Sequence, residues 1–237
     1  MNWLKIKNLL LDIFFPKFCF SCQKEGNYLC EDCKACLEIS ENLFCLCKIP
    51  QRLTAEGKCP KCASKKLNGL YFALSWQNKT VQKLIRQFKY EPFVKDLSEN
   101  LTDFIITHFK AINKCEKDFE GKILIPLPLT RKKIRYRGFN QSEEIAKKLS
   151  DKLKIPVLKD CLIKIKETSP QVELSKEKRS ENIKGAFEVK DKEKIKDKKI
   201  LLVDDVYTTG STLEEAARVL KESGAKEVWG VVVARGN

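Results

Sequence analysis

Two carboxylates, three threonines, a serine and a glycine fall within one short run, Asp204-Asp205-Val206-Tyr207-Thr208-Thr209-Gly210-Ser211-Thr212. Ile200 to Val203 precede it as a buried strand. Leu213, Ala216, Ala217 and Leu220 follow at i, i+3, i+4 and i+7, the stripe of a helix that Gly224 would stop. The spacing therefore predicts carboxylates at a strand's end and hydroxyls in a loop feeding a helix N-terminus. Unpaired backbone N–H groups and the positive dipole end favour an anion there. Gly210 permits close backbone approach or positive φ, and Thr208, Thr209, Ser211 and Thr212 add hydroxyl donors. Such a loop suits a phosphate. Asp204 and Asp205 would repel a bare phosphate, so the expected ligand also carries sugar hydroxyls or a magnesium ion. No Gly-Lys-Ser/Thr follows the glycine, which excludes a Walker A loop. Trp229 to Ala234 is a second apolar run, so the unit reads as strand–loop–helix–strand.

A second group of residues suits the same chemistry. Arg131, Lys132, Lys133, Arg135 and Arg137 place five cations in seven residues, between a strand at Ile123 to Leu129 and a helix beginning near Asn140. Glu143 is placed as that helix's capping-box partner, and Ile145, Leu149 and Leu153 as its buried side. With Gly138, Asn140 and Gln141, these cations read as a basic loop at a strand end, a candidate pyrophosphate or phosphodiester site. The polar stretch Thr168 to Asn182 reads as a flap carrying Gln171, Lys176, Lys178 and Arg179 over the substrate.

Nine of the eleven cysteines lie between Cys19 and Cys62. Eight of them form close pairs: Cys19 with Cys22, Cys30 with Cys33, Cys45 with Cys47, and Cys59 with Cys62. With no secretory signal, this spacing reads as metal binding rather than disulfides, and four thiolates suit tetrahedral zinc. A sequential ribbon would join Cys19, Cys22, Cys30 and Cys33, then Cys45, Cys47, Cys59 and Cys62; a cross-braced pattern would interleave the pairs. Cys45-x-Cys47 is one residue short of the usual knuckle, so one zinc site is expected and the second is less secure. Cys36 is a spare thiol, and Cys115 and Cys161 read as core or incidental.

The remaining elements must position these groups. Tyr71 to Trp76 reads as a strand. The next helix buries Val81, Leu84, Ile85 and Phe88 and turns Lys79, Lys83, Arg86 and Lys89 outward. A longer helix spans Val94 to Phe109 and carries His108, the single histidine, read as incidental. Short strands are expected at Ile155 to Leu158 and Cys161 to Lys166, and Lys190 to Lys199 reads as a solvated loop. The net charge of +14 favours a polyanionic partner, nucleic acid first and an anionic membrane surface second. No run approaches the roughly 20 apolar residues of a membrane span. Leu4 to Phe15 reads as a helix packed on the cysteine module rather than a signal peptide. The expected location is cytoplasmic, peripheral at most to the membrane's inner face.

Val203-Asp-Asp-Val-Tyr-Thr-Thr-Gly-Ser-Thr212 resembles the phosphoribosyl-pyrophosphate (PRPP) signature of type I phosphoribosyltransferases. The wider layout resembles the ComF (also called GntX) family: cysteine pairs, Pro126-Leu-Pro128, Arg137-Gly-Phe-Asn-Gln141, Pro170-Gln171, Leu174-Ser175, Arg179, Asn182, Gly185-Ala-Phe187 and the Asp-Asp/Thr-Thr-Gly loop. The resemblance implies an α/β protein with a cysteine module, residues 1–66, bearing Zn²⁺, and a type I phosphoribosyltransferase domain, residues 67–237, built on a mainly parallel sheet flanked by helices. It implies that Thr208, Thr209, Gly210, Ser211 and Thr212 hold the 5-phosphate of PRPP and that Asp204 and Asp205 engage ribose hydroxyls or Mg²⁺. It implies action on incoming single-stranded DNA, with a DNA-uptake helicase or other competence proteins as partners. Two competing readings are a catalytically inactive, PRPP-sensing nucleic-acid-binding module and a nucleotide-salvage phosphoribosyltransferase unrelated to competence.

Overall fold

The computed structural model describes residues 16–91, 93–167 and 183–236. The expected helix at Leu4 to Phe15 and the expected flap with Gln171, Lys176, Lys178 and Arg179 lie outside them.

Four apolar segments form the central sheet: β3 (Gly69–Ser75), β4 (Lys122–Pro126), β7 (Lys199–Tyr207) and β8 (Glu227–Arg235). Their order is β3-β8-β7-β4, and every pairing is parallel. A parallel sheet needs both faces covered, and the alternating side chains supply two cores. Leu124, Leu201, Val203, Val231 and Val233 pack beneath α2 (Lys79–Lys89), α3 (Leu97–Ala111) and α5 (Gln141–Leu153). Ile123, Ile200, Leu202, Val228 and Val232 pack beneath α6 (Ser211–Glu222) and the antiparallel pair β5 (Leu162–Lys164) and β6 (Phe187–Val189). The predicted stripes hold: Val81, Leu84, Ile85 and Phe88 are buried on α2, and Leu213, Ala216, Ala217 and Leu220 on α6.

The cysteine-rich segment has little regular structure. It holds α1 (Glu31–Ala35), the two-residue strands β1 (Leu43–Phe44) and β2 (Arg52–Leu53), and one 3₁₀ turn, Pro60–Cys62. It docks on the sheet through polar contacts. The Ser40 amide donates to Ala73 O on β3 at 2.8 Å, His108 Nδ1 meets Ser40 O at 2.5 Å, and Tyr71 Oη donates to Glu56. His108 is therefore not incidental: it is buried on α3 and ties that helix to the cysteine segment.

Three local expectations need correction. Arg131 to Arg137 is not a loop but a helix, α4 (Arg131–Arg137), whose N-cap Thr130 accepts from Lys133 N and whose C-cap Gly138 sits at φ 76°. Ile155 to Leu158 forms no strand, only a parallel bridge from Val157 to Leu124. Glu143 makes no capping box: the cap Asn140 accepts from Ser142 N, and Glu143 pairs with Lys147 at 3.0 Å. Among the described residues no helix is long and apolar enough to cross a membrane.

Candidate functional site

Strand β7 does not end before the acidic pair. It runs through Asp204 and Asp205 to Tyr207, so both carboxylates are fixed by parallel pairing with β8 rather than carried on the loop. Asp204 Oδ1 accepts from Ser142 Oγ at 3.0 Å and from the Asp205 amide at 2.9 Å. Asp205 is buried, and Lys89 Nζ lies 2.7 Å from its Oδ1. Burial, and then the neighbouring Asp205 charge, push Asp204 up from the usual 3.8 to about 7. Burial works against the charge on Lys89, but Asp205 and Asp204 outweigh it and hold its pKa above the ordinary lysine range. A desolvated carboxylate pair with one ammonium already against it is a site that accepts a cation.

The loop follows at once. Gly210 is the N-cap of α6 at φ 76°, and Thr209 Oγ1 lies 3.1 Å from Ser211 Oγ. Glu214 N already donates to Gly210 O at 2.9 Å, closing the helix's first turn and leaving the amides before it directed at the loop. The predicted phosphate residues Thr208, Thr209, Gly210, Ser211 and Thr212 are thus contiguous with Asp204 and Asp205. Gly210 has no room for a side chain: a Cβ there would lie 2.2 Å from Tyr207 Oη.

The basic group is brought only partly to the same place. Asn140 and Gln141 stand at the start of α5 beside Ser142, the partner of Asp204. Asn140 Nδ2 donates to Leu127 O at 3.0 Å, and Gln141 is buried with Nε2 unpartnered. Arg137 lies 5.3 Å from the Tyr90 ring centroid, whereas Arg131 and Arg135 are exposed on α4. Lys133, one of the five cations of α4, and Lys164, which was not named as a site residue, lie among the same charges. Burial, with the charges of Arg137 and Lys89, lowers the pKa of Lys133. Burial and Lys133 bring Lys164 down to about 8, against the pull of Asp204. Lys89 itself was expected on the solvated face of its helix. Its position as the last residue of α2, pointing at the C-terminal ends of the strands, is the one sequence signal that could have marked it.

The cysteines resolve the pairing. Cys19, Cys22, Cys30 and Cys33 form one cluster, and Cys45, Cys47, Cys59 and Cys62 another, each with its sulfurs within 4.8 Å of one another. The arrangement is sequential, and the short Cys45-x-Cys47 knuckle still closes its cluster. The described cysteines are free thiols, and backbone N–H groups point at the sulfurs, from Cys30 to Cys19 at 3.5 Å and from Gln51 to Cys45 at 3.1 Å. Four mutually close sulfurs with amide support fit Zn²⁺ in a closed structural site.

Sheet order, with an acidic pair running into a hydroxyl-rich loop at a helix N-terminus, gives the fold of a phosphoribosyltransferase-type domain. The family model described as "Phosphoribosyl transferase domain" matches residues 139–237. Curated relatives extend the likeness over most of the chain. Competence protein F of Haemophilus influenzae is 29% identical over 230 residues, 88% of this chain and 98% of that protein. Competence protein ComFC of Bacillus subtilis is 28% identical, over 85% of this chain and 81% of its own length. DNA utilization protein YhgH of Escherichia coli K12 is 33% identical over 108 residues, 45% of this chain and 47% of that protein. The chain is thus similar, over most of its length, to competence proteins of the ComF type.

Proposed function

We propose that this protein binds PRPP with Mg²⁺ and acts, as a ComF-type protein, on single-stranded DNA during its uptake or processing. The observation that carries the reading is the direct continuity of a phosphate loop, Thr208 to Thr212, with a carboxylate pair held by Ser142 and Lys89. Thr208, Thr209, Gly210, Ser211 and Thr212 take the 5-phosphate, and Asp204 and Asp205 take the ribose hydroxyls or Mg²⁺. Arg137, with Lys89 and Lys133, faces the pyrophosphate. Mg²⁺, when bound, would neutralise charge on the departing pyrophosphate. The chain's own cations serve the same end as the C1–oxygen bond breaks and the ribose becomes oxocarbenium-like. The residue ranges 1–66 and 67–237 are the proposed division of labour between metal module and transferase domain.

Calorimetry with PRPP and Mg²⁺ tests the reading. Micromolar binding is expected for the wild type, and its loss, with pyrophosphate release, in the Asp204→Asn, Asp205→Asn double variant. Unchanged binding in that variant would remove the acidic pair from the site. The same titration carries a pH signature. The folded pKa of Asp204, about 7, lies above its unfolded value of 3.8. The stability linked to its proton is therefore fully present below about pH 4 and lost as pH rises through about 7. A ligand that needs the carboxylate gains over that same rise, so PRPP–Mg²⁺ affinity should climb between about pH 6 and 8. In the Asn double variant no such climb should remain.

One further observation favours a nucleic-acid role. Tyr90 and Tyr136 are 47% and 63% exposed, beside the cations of α4. Tyr136 meets Phe93 edge-on at 5.4 Å, and Arg137 stacks over Tyr90. Exposed rings among cations form a stacking platform for unpaired bases. Tyr90→Ala with Tyr136→Ala is expected to weaken single-strand binding, read by fluorescence anisotropy, by on the order of tenfold to a hundredfold at constant salt. An unchanged affinity would place the DNA elsewhere.

A further inference from the structure

The two cysteine clusters stand on opposite sides of the sheet. Cys19 and Cys30 belong to the core under α2, α3 and α5. Cys45, Cys59 and Cys62 belong to the core that also contains Tyr207, Leu213 and Ala216, the floor of the phosphate loop and the first turns of α6. Two polar ties join this second cluster to that loop. The Lys66 amide, four residues beyond Cys62, donates to Glu214 Oε2 at 2.7 Å in the first turn of α6. Arg235, at the end of β8 and 4% exposed, donates from Nη1 to Cys45 O and from Nη2 to Cys47 O, each at 2.8 Å. Its guanidinium lies 5.5 Å from the ring centroids of both Phe72 and Tyr207. Tyr207 is the wall against which Gly210 is pressed.

We propose that Arg235 is a positioning residue that couples metal occupancy of the Cys45, Cys47, Cys59 and Cys62 cluster to the shape of the phosphate loop. The use of that loop for PRPP rests on the proposed function above; the coupling itself does not. Only Leu46 separates Cys45 from Cys47, so ligating both sulfurs to one ion fixes both carbonyls that Arg235 reads. With the cluster empty, the turn is held by the Cys45–Gln51 contacts, the β1–β2 pairing and the burial of Leu46, and the Cys47 carbonyl loses the ion that fixed its neighbouring sulfur. Carbonyls that drift leave two guanidinium donors buried and unpaired, an arrangement costly enough to expel the side chain. Tyr207 then loses the cation on its ring face, and Gly210 loses the surface that sets its turn. Linkage makes the effect reciprocal: a phosphate ligand that favours the ordered loop must slow zinc loss from this cluster and not from the other.

The test uses the full chain. Hydrogen exchange at the amides of residues 209–214 is measured together with zinc content for wild type, Arg235→Lys, Cys47→Ser and, as control, Cys33→Ser in the first cluster. Arg235→Lys keeps the charge and both zinc ions but cannot span both carbonyls. It and Cys47→Ser are expected to speed loop exchange by roughly tenfold or more, with Cys33→Ser within about twofold of wild type. Should Cys47→Ser fail to fold, the wild type titrated with a zinc chelator gives the same readout, loop protection falling in step with zinc lost from the second cluster. Loop exchange within about twofold of wild type in Arg235→Lys, or after second-cluster zinc loss, overturns the coupling. A wild type that shows the coupling but binds no PRPP sinks the ligand assignment and leaves the coupling standing.

Discussion

Replacing Gly210 with alanine is expected to abolish useful PRPP binding while the rest of the chain stays folded. Two separate penalties meet at this residue. Its φ of 76° lies in the left-handed region, which costs a non-glycine residue about 1–3 kcal/mol. The added Cβ would also lie 2.2, 2.3 and 2.6 Å from Oη, Cζ and Cε2 of Tyr207. Tyr207 has little freedom to yield, being buried with Arg235 against its ring; overpacking of this kind costs about 1–3 kcal/mol. A loop that escapes by changing shape no longer presents its amides together. A combined penalty of about 3 kcal/mol taken from binding corresponds to on the order of a hundredfold in affinity. Calorimetry with ribose 5-phosphate and with PRPP measures it, and circular dichroism checks the fold. Tyr207→Ala in the same chain should recover part of the loss, since it removes the clash and leaves the φ penalty. Wild-type affinity in Gly210→Ala would show that the phosphate sits elsewhere.

Withdrawing zinc should have the largest effect on stability. Residues 16–66 cannot hold a fold through their own secondary structure. α1 has five residues and buries none of them, and β1 and β2 have two residues each. Helices so short are unstable alone, and an isolated two-stranded ribbon is marginal at best. The buried residues of the segment are largely the ligands themselves: Cys19, Cys30, Cys45, Cys59 and Cys62, with Leu29, Leu37 and Leu46. In zinc-finger peptides a structural zinc supplies about 10–16 kcal/mol of apparent binding free energy, and that energy is folding energy. An excess of chelator is therefore expected to remove amide protection across residues 16–66 while α3, α5 and the central sheet keep theirs. Hydrogen exchange by mass spectrometry reads both regions in one experiment. Full protection of residues 16–66 after zinc has left would show that docking on the sheet, not metal, holds them.

The parts legible in the sequence were those written in local spacing. β7, its loop, α6 and β8 are continuous apolar runs and a 3.6-residue stripe separated by loop-forming residues. The cysteine clusters follow from pair spacing, and geometry alone decided between sequential and interleaved pairing. α4 was hidden by its charge: five cations read as a basic, anion-binding loop, although Thr130 as N-cap and Gly138 as C-terminal stop were both present to be read. Ile155 to Leu158 has strand composition but found room for one bridge only. The contacts that set the electrostatics of the site have no local signature. Lys89 reaches Asp205, Ser142 reaches Asp204, and Arg235 reaches Cys45, each pair lying far apart along the chain. Such pairs are fixed by strand order and helix placement, which no window along the chain contains.

The bond from Ser40 to Ala73 has a consequence for the life of the protein in a cell. β3 is the outermost strand on its side of the sheet, and Gly-Leu-Tyr-Phe-Ala-Leu-Ser is uncharged, aromatic and free of proline. A bare strand of that composition is a template for joining other chains edge to edge. The cysteine segment lies against it through that bond, and metal bound at its two clusters would hold this cover in place. A cell short of zinc would then be expected to accumulate this protein as aggregate before it lost the transferase fold itself, and bound metal would guard solubility as well as shape.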